Sequence, residues 1–87
     1  MVVERFRENA LQAIHRRFAA EGRMLPPNVT YVDSWVDAAG STCFQLMEAP
    51  DAQALEPWMC RWNDLITFEV VNAVRSPEFW GKFEKET

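Results

Sequence analysis

Residues 29–49, VTYVDSWVDAAGSTCFQLMEA, predict the fold because they contain two strand-like segments joined by a turn. Residues 29–38 and 42–49 are rich in β-branched and aromatic side chains, which favour strands. The AAGS segment between them has the small residues and the glycine of a turn, so we expect an antiparallel hairpin. A strand and a helix are predicted before this hairpin, and a helix and a strand are predicted after it.

The part of the chain before the hairpin has a strand pattern followed by a helix pattern. Residues 1–6 have the composition of a short strand, and residues 8–22 have the apolar spacing of a helix. The apolar positions of this helix are Leu11, Ile14 and Phe18. Gly22 is a natural helix end, and the prolines Pro26 and Pro27 keep the following connection extended.

The part after the hairpin is predicted to form a second helix and a fourth strand. Asp51 is a candidate N-terminal cap for a helix that runs to about Asn63. The apolar stripe of this helix comprises Leu55, Trp58, Met59 and Trp62. Pro57 lies beyond the first turn, so it predicts a kink or a helix that starts in two parts. Residues 65–74 form the expected last strand.

Residues 75–87 are predicted to be a C-terminal tail outside the domain formed by residues 1–74. Ser76 followed by Pro77 is typical of a helix start, so residues 77–85 are expected to be helical. The apolar side chains of this helix are Phe79, Trp80 and Phe83. If exposed together they would form a large apolar patch, which favours packing on the body or on a partner subunit.

This order of elements, β-α-β-β-α-β plus a C-terminal helix, predicts an α+β fold of the ferredoxin-like split βαβ type. Its four-stranded antiparallel sheet would carry both helices on one face. In the third strand Phe44 and Leu46 point to one face. The other face receives Cys43, Gln45 and Met47. Because neither set resembles a solvated surface, we expect a homodimer through the sheet face away from the helices. The small size of the domain also favours a partner subunit.

Composition and charge argue against several classes of protein. The net charge is −4 at pH 7, so a nucleic-acid partner is not expected. One histidine and two cysteines, Cys43 and Cys60, lack the spacing of metal ligands, and no metal or cofactor is expected. No apolar run approaches the roughly 20 residues of a membrane helix. Two thiols without a signal peptide predict a cytoplasmic protein.

Three phrases of the sequence, GRMLPPNVTYVDSWVDAAG, CFQLMEA and RWNDLITFEVV, resemble the domain-of-unknown-function 3303 family. The resemblance covers nearly all of residues 1–74 and leaves out the tail from Ser76 onward. It implies the dimeric α+β barrel superfamily, in which two ferredoxin-like sheets close face to face. It implies no settled activity. Relatives by fold include monooxygenases without cofactors, isomerases, cyclases and haem-degrading enzymes, and transferring any of these chemistries would be analogy by fold alone.

A candidate ligand pocket is predicted between the helices and the sheet. His15 lies about 40° from Leu11 on a helical wheel, so it borders the apolar stripe of the first helix. It is the candidate catalytic residue, because histidine is most often the general base near neutral pH. The predicted ligand-binding residues are His15, Phe18, Trp35, Trp58 and Trp62. Together they would suit a flat apolar or aromatic ligand with one polar end.

Two interpretations of these residues stay open. In the first, the protein binds a small apolar or aromatic ligand, or is an enzyme that works without a cofactor. In the second, it is a structural or interaction dimer whose core is filled by its own indoles, with His15 hydrogen bonded to a carbonyl or a carboxylate. An enclosed cavity would favour the first interpretation, and a solid core would favour the second.

The charged residues on the strands are expected to be paired, because an unpaired buried charge costs about several kcal/mol. The candidate partners are Glu4, Glu69, Arg5 and Arg61. Such a pair would be either a structural contact or acid–base machinery. Arg17 is expected to be solvated, and Asp64 is expected to cap or bridge the junction of the second helix and the last strand.

Overall fold

The computed structural model describes residues 1–84 and has the element order expected from the sequence. The strands are β1 (Val2–Phe6), β2 (Thr30–Val36), β3 (Thr42–Glu48) and β4 (Ile66–Val70), and the helices are α1 (Leu11–Glu21), α2 (Glu56–Cys60) and α3 (Ser76–Glu84). A 3₁₀ turn, Ala52–Leu55, precedes α2. The last position of the helix predicted over residues 77–85 lies outside the described residues.

The four strands form one antiparallel sheet in the order β2-β3-β1-β4. The first strand therefore lies between the hairpin and the last strand, as two interleaved βαβ units require in a ferredoxin-like fold. This topology confirms the predicted α+β class with its four-stranded antiparallel sheet and additional C-terminal helix.

The two faces of the sheet differ because successive side chains of a strand point in opposite directions. The covered face, on which α1 and α2 lie, carries Val2, Glu4, Phe6, Cys43, Gln45, Met47, Ile66 and Phe68. The open face carries Val3, Arg5, Trp35, Phe44, Leu46 and Glu69. The hydrophobic core lies on the covered side, where the fully packed side chains include Val2, Leu55, Trp58 and Ile66.

The helix boundaries follow the signals in the sequence. Gly22 has a φ of 66° and its N–H donates to the Phe18 carbonyl at 2.8 Å, so it ends α1. Asp51 accepts a backbone N–H at 2.9 Å and caps the 3₁₀ turn. Pro57 falls at the start of α2, so the second helical segment begins in two parts, a 3₁₀ turn and then a short helix.

A bulge in β2 changes which side chains share a face. The register with β3 shifts between Tyr31 and Asp33, so Val32 is an extra residue in β2. Because of this extra residue, Trp35 no longer shares a face with Tyr31. It pairs with Phe44 on the open face instead.

The C-terminal segment extends away from the body. The strand expected over residues 65–74 ends at Val70, and every residue that follows through Trp80 is exposed. In α3 the rings of Phe79, Trp80 and Phe83 contact one another, with centroids 4.9 to 5.7 Å apart, and each stays exposed. The radius of gyration is 15.3 Å, above the about 12 Å of a compact domain of this length. Packing of the tail on the body or on a partner stays a prediction.

Candidate functional site

A cavity of about 210 Å³ lies on the covered face between the helices and the sheet. No side chain of α1 is buried, so this helix covers the sheet incompletely and leaves the space open. The apolar wall of the cavity is formed by the aromatic and aliphatic side chains of Phe6, Ile14, Phe18, Trp58, Trp62 and Ile66. The remaining lining comprises Glu4, Arg23, Ser34, Val36, Cys43 and Gln45. The cavity therefore combines an apolar wall with one polar end.

Trp58 and Trp62 form the rigid part of the wall. Trp58 is only 2% exposed and packs edge-on against Phe68, with ring centroids 5.2 Å apart. The indole N–H of Trp62 donates to the Arg23 carbonyl at 3.1 Å, which satisfies its polar atom and fixes the ring. Both rings are thus positioned without a ligand, as in a preformed site.

The polar end of the cavity is a row of three side chains from separate parts of the chain. Gln45 donates from Nε2 to Glu4 Oε2 at 2.5 Å, and Arg23 donates from Nε to Gln45 Oε1 at 3.1 Å. Strand pairing explains the first contact, because β1 and β3 are neighbours and both side chains point to the covered face. Glu4 is 7% exposed and Gln45 is also buried, so this row is largely removed from water.

Burial determines the protonation of the carboxyl in this row. It raises the pKa of Glu4 from 4.5 to about 7, although the charge of Arg23 and the hydrogen bond from Gln45 act in the opposite direction. Burial, and then the charge of Glu4, raise the pKa of the Cys43 thiol to about 11. Near neutral pH the carboxyl can therefore take up or release a proton, whereas the thiol stays protonated and is a poor nucleophile.

Aromatic rings hold the guanidinium of Arg23. Its Cζ lies 3.5 Å from the ring centroid of Tyr31 and 5.1 Å from that of Phe18. The Tyr31 hydroxyl in turn is hydrogen bonded to the Ser34 hydroxyl at 2.8 Å. Such cation–π contacts fix a side chain that is otherwise flexible. Arg23 therefore supplies a fixed positive charge beside the polar end.

A second arginine fastens α1 beside the cavity. Arg17 donates to the two Asp64 carboxylate oxygens at 2.8 and 2.7 Å and to the Arg61 carbonyl at 2.8 Å. The hydrogen bonds from Arg17 lower the pKa of Asp64. Asp64 bridges the end of the second helical segment, as predicted. Arg17 lies at the solvent-accessible surface, as expected, and it also forms a bidentate ion pair because α1 lies close to this junction.

The structure brings together three of the five predicted ligand-binding residues. Phe18, Trp58 and Trp62 line the cavity. His15 is exposed and lines a separate depression on α1, and Trp35 lies on the open face. Neither of these two lines the cavity in this chain, and the catalytic role of His15 stays a prediction.

No sequence pattern indicated that Gln45 and Arg23 belong to the site. Either Glu4 or Glu69 was expected to pair with Arg5 or Arg61, and the structure pairs Glu69 with Arg5 at 3.0 Å on the open face. Glu4 accepts a hydrogen bond from the side-chain amide of Gln45 on the neighbouring strand. The sequence does contain a signal that the Glu4 carboxyl faces the core. Side chains alternate between the two faces along β1, and the residues two before and two after Glu4 are apolar.

Across residues 1–84, no three or more His, Cys, Asp or Glu side chains are grouped so as to hold a metal ion. The helices of this part of the chain are too short or too polar to cross a membrane. The cavity itself offers one carboxyl and one thiol, fewer than the protein ligands of a typical zinc site.

The family model for the domain of unknown function DUF3303 matches residues 1–86 of the chain. The chain belongs to this family. The match confirms the resemblance seen in residues 1–74 and extends it through the C-terminal helix, which that resemblance left out. Comparisons with curated proteins and with solved structures give no match. The family description names no activity.

Proposed function

We propose that this DUF3303 protein binds a small apolar or aromatic ligand in the cavity on the covered face, and that two copies associate through the open face. The observation that carries the proposal is the preformed space in which aromatic rings surround a single polar end. Ligand pockets typically have this composition, with mostly apolar walls and a few polar groups that orient the ligand.

The volume of the cavity favours a small ligand. It measures about 210 Å³, below the roughly 300–1,000 Å³ of pockets for drug-sized molecules. An apolar cavity of about 150 Å³ is large enough to hold benzene. The rings of Phe18, Trp58 and Trp62 provide flat walls. We therefore expect a ligand with one ring or two fused rings.

A structural dimer without a ligand is the competing function. In that case Trp58 and Trp62 would serve only as core. A cavity in a core lowers stability roughly in proportion to its volume, and a purely structural role gives no reason to retain one. The cavity therefore favours ligand binding over the structural alternative.

The test of ligand binding is a titration of isotopically labelled protein with toluene and with indole, followed by backbone amide resonances. We expect saturable shifts at Ile14, Phe18 and Gln45, which line the cavity. Ile14→Trp should fill the space and abolish these shifts. The matched control is His15→Trp, one residue away and exposed, which should leave them unchanged. Lack of saturable binding by the unmodified protein would contradict the proposal and favour the structural dimer.

The same titration tests whether His15 contributes to ligand binding. If the imidazole orients the ligand, as the sequence hypothesis states, His15→Ala should weaken binding. If the ligand lies in the cavity described above, His15→Ala should leave the affinity unchanged, because His15 lines a different depression.

Association through the open face is proposed because its apolar side chains are contiguous and unprotected. Trp35 pairs with Phe44, and Phe44 pairs with Val3, so these side chains form a row across three strands. Trp35 is 53% exposed and Phe44 is 41% exposed. Two such faces related by a twofold axis would bury these rows against each other. Sedimentation velocity at micromolar concentration should show a dimer, and a stable monomer would contradict this part of the proposal.

The C-terminal helix is proposed to pack on the partner subunit. Its aromatic cluster, Phe79, Trp80 and Phe83, is exposed in the single chain, and an apolar cluster of this kind is typical of an interaction site. Deleting residues 76–87 should therefore weaken the dimer without unfolding the body. An unchanged sedimentation profile would show that the helix has another role.

The proposed setting is the cytoplasm. Cys43 and Cys60 are both free, with the first buried and the second exposed. An exposed free thiol suits a reducing compartment, where disulfides are rare. Fractionation of native cells with an antibody to the protein would test this placement.

A further inference from the structure

The polar end of the cavity contains an acceptor that the chain itself does not use. Glu4 Oε2 accepts the hydrogen bond from Gln45, whereas Glu4 Oε1 accepts none within residues 1–84. In this part of the chain, every fully buried side-chain nitrogen or oxygen has a partner. Oε1 is therefore not fully buried, and Glu4 is one of the residues that line the cavity. Such an oxygen is occupied either by water or by a polar atom of a ligand.

We propose that Glu4 Oε1 accepts a hydrogen bond from the ligand, and that the ligand is a neutral ring compound with one hydrogen-bond donor, of which phenol is the simplest example. The inference rests on the proposed function and names the polar group that the cavity recognises. The ring lies among Phe18, Trp58 and Trp62, and the donor lies at the Glu4 end.

Charge at the polar end disfavours an anionic ligand. A second negative charge would lie beside Glu4, and among the described residues that line the cavity Arg23 is the one cation. Arg23 is already hydrogen bonded to Gln45 and stacked on Tyr31. A neutral ligand avoids this repulsion and leaves the opposite charges of Glu4 and Arg23 balanced.

A pure hydrocarbon is disfavoured for a different reason. It would displace water from Glu4 Oε1 without replacing the hydrogen bond, and an ionised carboxyl without a partner is costly inside an apolar space. A site with a buried polar group discriminates strongly against analogues that lack the matching group. A donor on the ring restores the lost hydrogen bond.

Binding of such a donor is coupled to the ionisation of Glu4. The pKa of Glu4 is raised by burial to about 7, and a donor stabilises the ionised form. The neighbouring groups at this end are the guanidinium of Arg23, the hydroxyl of Ser34 and the thiol of Cys43, and burial raises the pKa of Cys43 to about 11. The residues that α1, α2 and β4 contribute to the cavity are apolar. Affinity for phenol should fall by up to about tenfold per pH unit below 7 and level off above it.

The experiment compares phenol, toluene and benzoate by amide-shift titration of the full chain at about pH 5.5, 7 and 8.5. We expect phenol to bind at least about tenfold more tightly than toluene at the highest pH, because a hydrogen bond to an ionised group is gained. Glu4→Gln should remove the pH dependence and reduce the preference for phenol. Glu8→Gln, a control at an exposed glutamate in the loop after β1, should change neither.

The outcomes separate this inference from the proposed function. Equal affinity for toluene and phenol at every pH would overturn the inference and leave ring binding intact. Tightest binding of benzoate at low pH would also overturn it, because the polar end would then be an anion site. Failure of all three compounds to bind would overturn both. The comparison of phenol with toluene uses the unmodified protein, so it does not depend on the folding of Glu4→Gln.

Discussion

The covered face and the open face of the same sheet differ in how far they are shielded from water. On the covered face Glu4 and Gln45 lie beneath two indoles and are removed from water. On the open face Val3 and Phe44, their immediate neighbours in the chain, lie on the side without helices. Both faces are rich in apolar atoms, but only one has helices to cover it. The period of two along β1 and β3 therefore places the proposed ligand site and the proposed partner surface on alternate residues.

This comparison can be tested with residues of the same type on the two faces. The chain places a tryptophan against each face, Trp58 from α2 on the covered face and Trp35 from β2 on the open face. It also places a glutamate on each, Glu4 in a polar row and Glu69 in an exposed ion pair. If the faces have different roles, equivalent substitutions must have different effects on stability and on association.

The largest effect is expected from Trp58→Ala. Removing a buried aromatic side chain costs about 3–5 kcal/mol of unfolding free energy, which is a large part of the about 5–15 kcal/mol of a typical domain. Trp35→Ala, on the exposed side, should change the stability of the single chain by about 0.5 kcal/mol or less. Urea unfolding followed by circular dichroism, at a concentration where the protein is monomeric, measures both. Equal losses for the two variants would mean that the open face is covered within one chain.

The next effect concerns the pH dependence of stability. Glu4 has a pKa of about 7 in the folded chain and an ordinary value of 4.5. Between these two values the folded chain keeps a proton that the unfolded chain has lost, so the unfolding free energy falls as pH rises through this window. Below the window the full stability is present, and above it the loss is complete.

Glu4→Gln should remove this dependence. The variant should be more stable than the unmodified protein by up to about 3 kcal/mol at about pH 8, and the two should agree near pH 4. Glu8→Gln, at an exposed loop position, should follow the unmodified protein throughout. Urea unfolding at a series of pH values is the measurement. A variant that is less stable at high pH would show that the carboxylate stabilises the fold.

The third effect concerns association. Phe44→Glu places a charge in the centre of the row on the open face and should weaken the dimer by about 100-fold or more, the effect of an interface hot spot. Leu11→Glu is the control, because Leu11 is also exposed, at 52%, but lies on α1. Sedimentation equilibrium measures the dissociation constants. If both variants weaken the dimer equally, the interface is not confined to the sheet.

Much of this arrangement follows from sequence patterns alone. The hairpin, the helix end at Gly22 and the cap at Asp51 are local signals, and the structure contains each of them. The helical spacing of Trp58 and Trp62 predicted that both indoles point to the sheet, and both line the cavity. These features depend on residues close together in the chain, so the sequence is sufficient to identify them.

The misplaced residues have identifiable causes. His15 was placed near the pocket because it lies beside Leu11 on a helical wheel, but Leu11 is itself exposed, so the inner side of α1 is centred on Ile14 and Phe18 instead. Trp35 lies four residues after Tyr31, so in a regular strand the two side chains would point to the same face. The bulge between them moves Trp35 to the open face instead.

The polar row could not be found from local patterns. Glu4, Arg23 and Gln45 come from three segments, and their contact depends on the register of β1 against β3 and on the path of the connection after α1. Cross-strand register is set by the whole sheet, so one sequence does not reveal which side chains will meet.

The smallest effect is expected for the ion pair of Arg5 and Glu69. Their side chains are 57% and 53% exposed on the open face, with Nη1 and Oε1 3.0 Å apart. An exposed pair of this kind contributes about 1 kcal/mol or less and is weakened by salt. A double-mutant cycle of Arg5→Ala and Glu69→Ala in dilute, monomeric protein should therefore give a small coupling energy. If a second copy covers this face, the coupling energy should grow at concentrations that favour the dimer and become less sensitive to salt, because the pair is then screened less by solvent. The same coupling energy at both concentrations would place the pair outside the interface and restrict any contact between subunits to the row of Val3, Trp35 and Phe44.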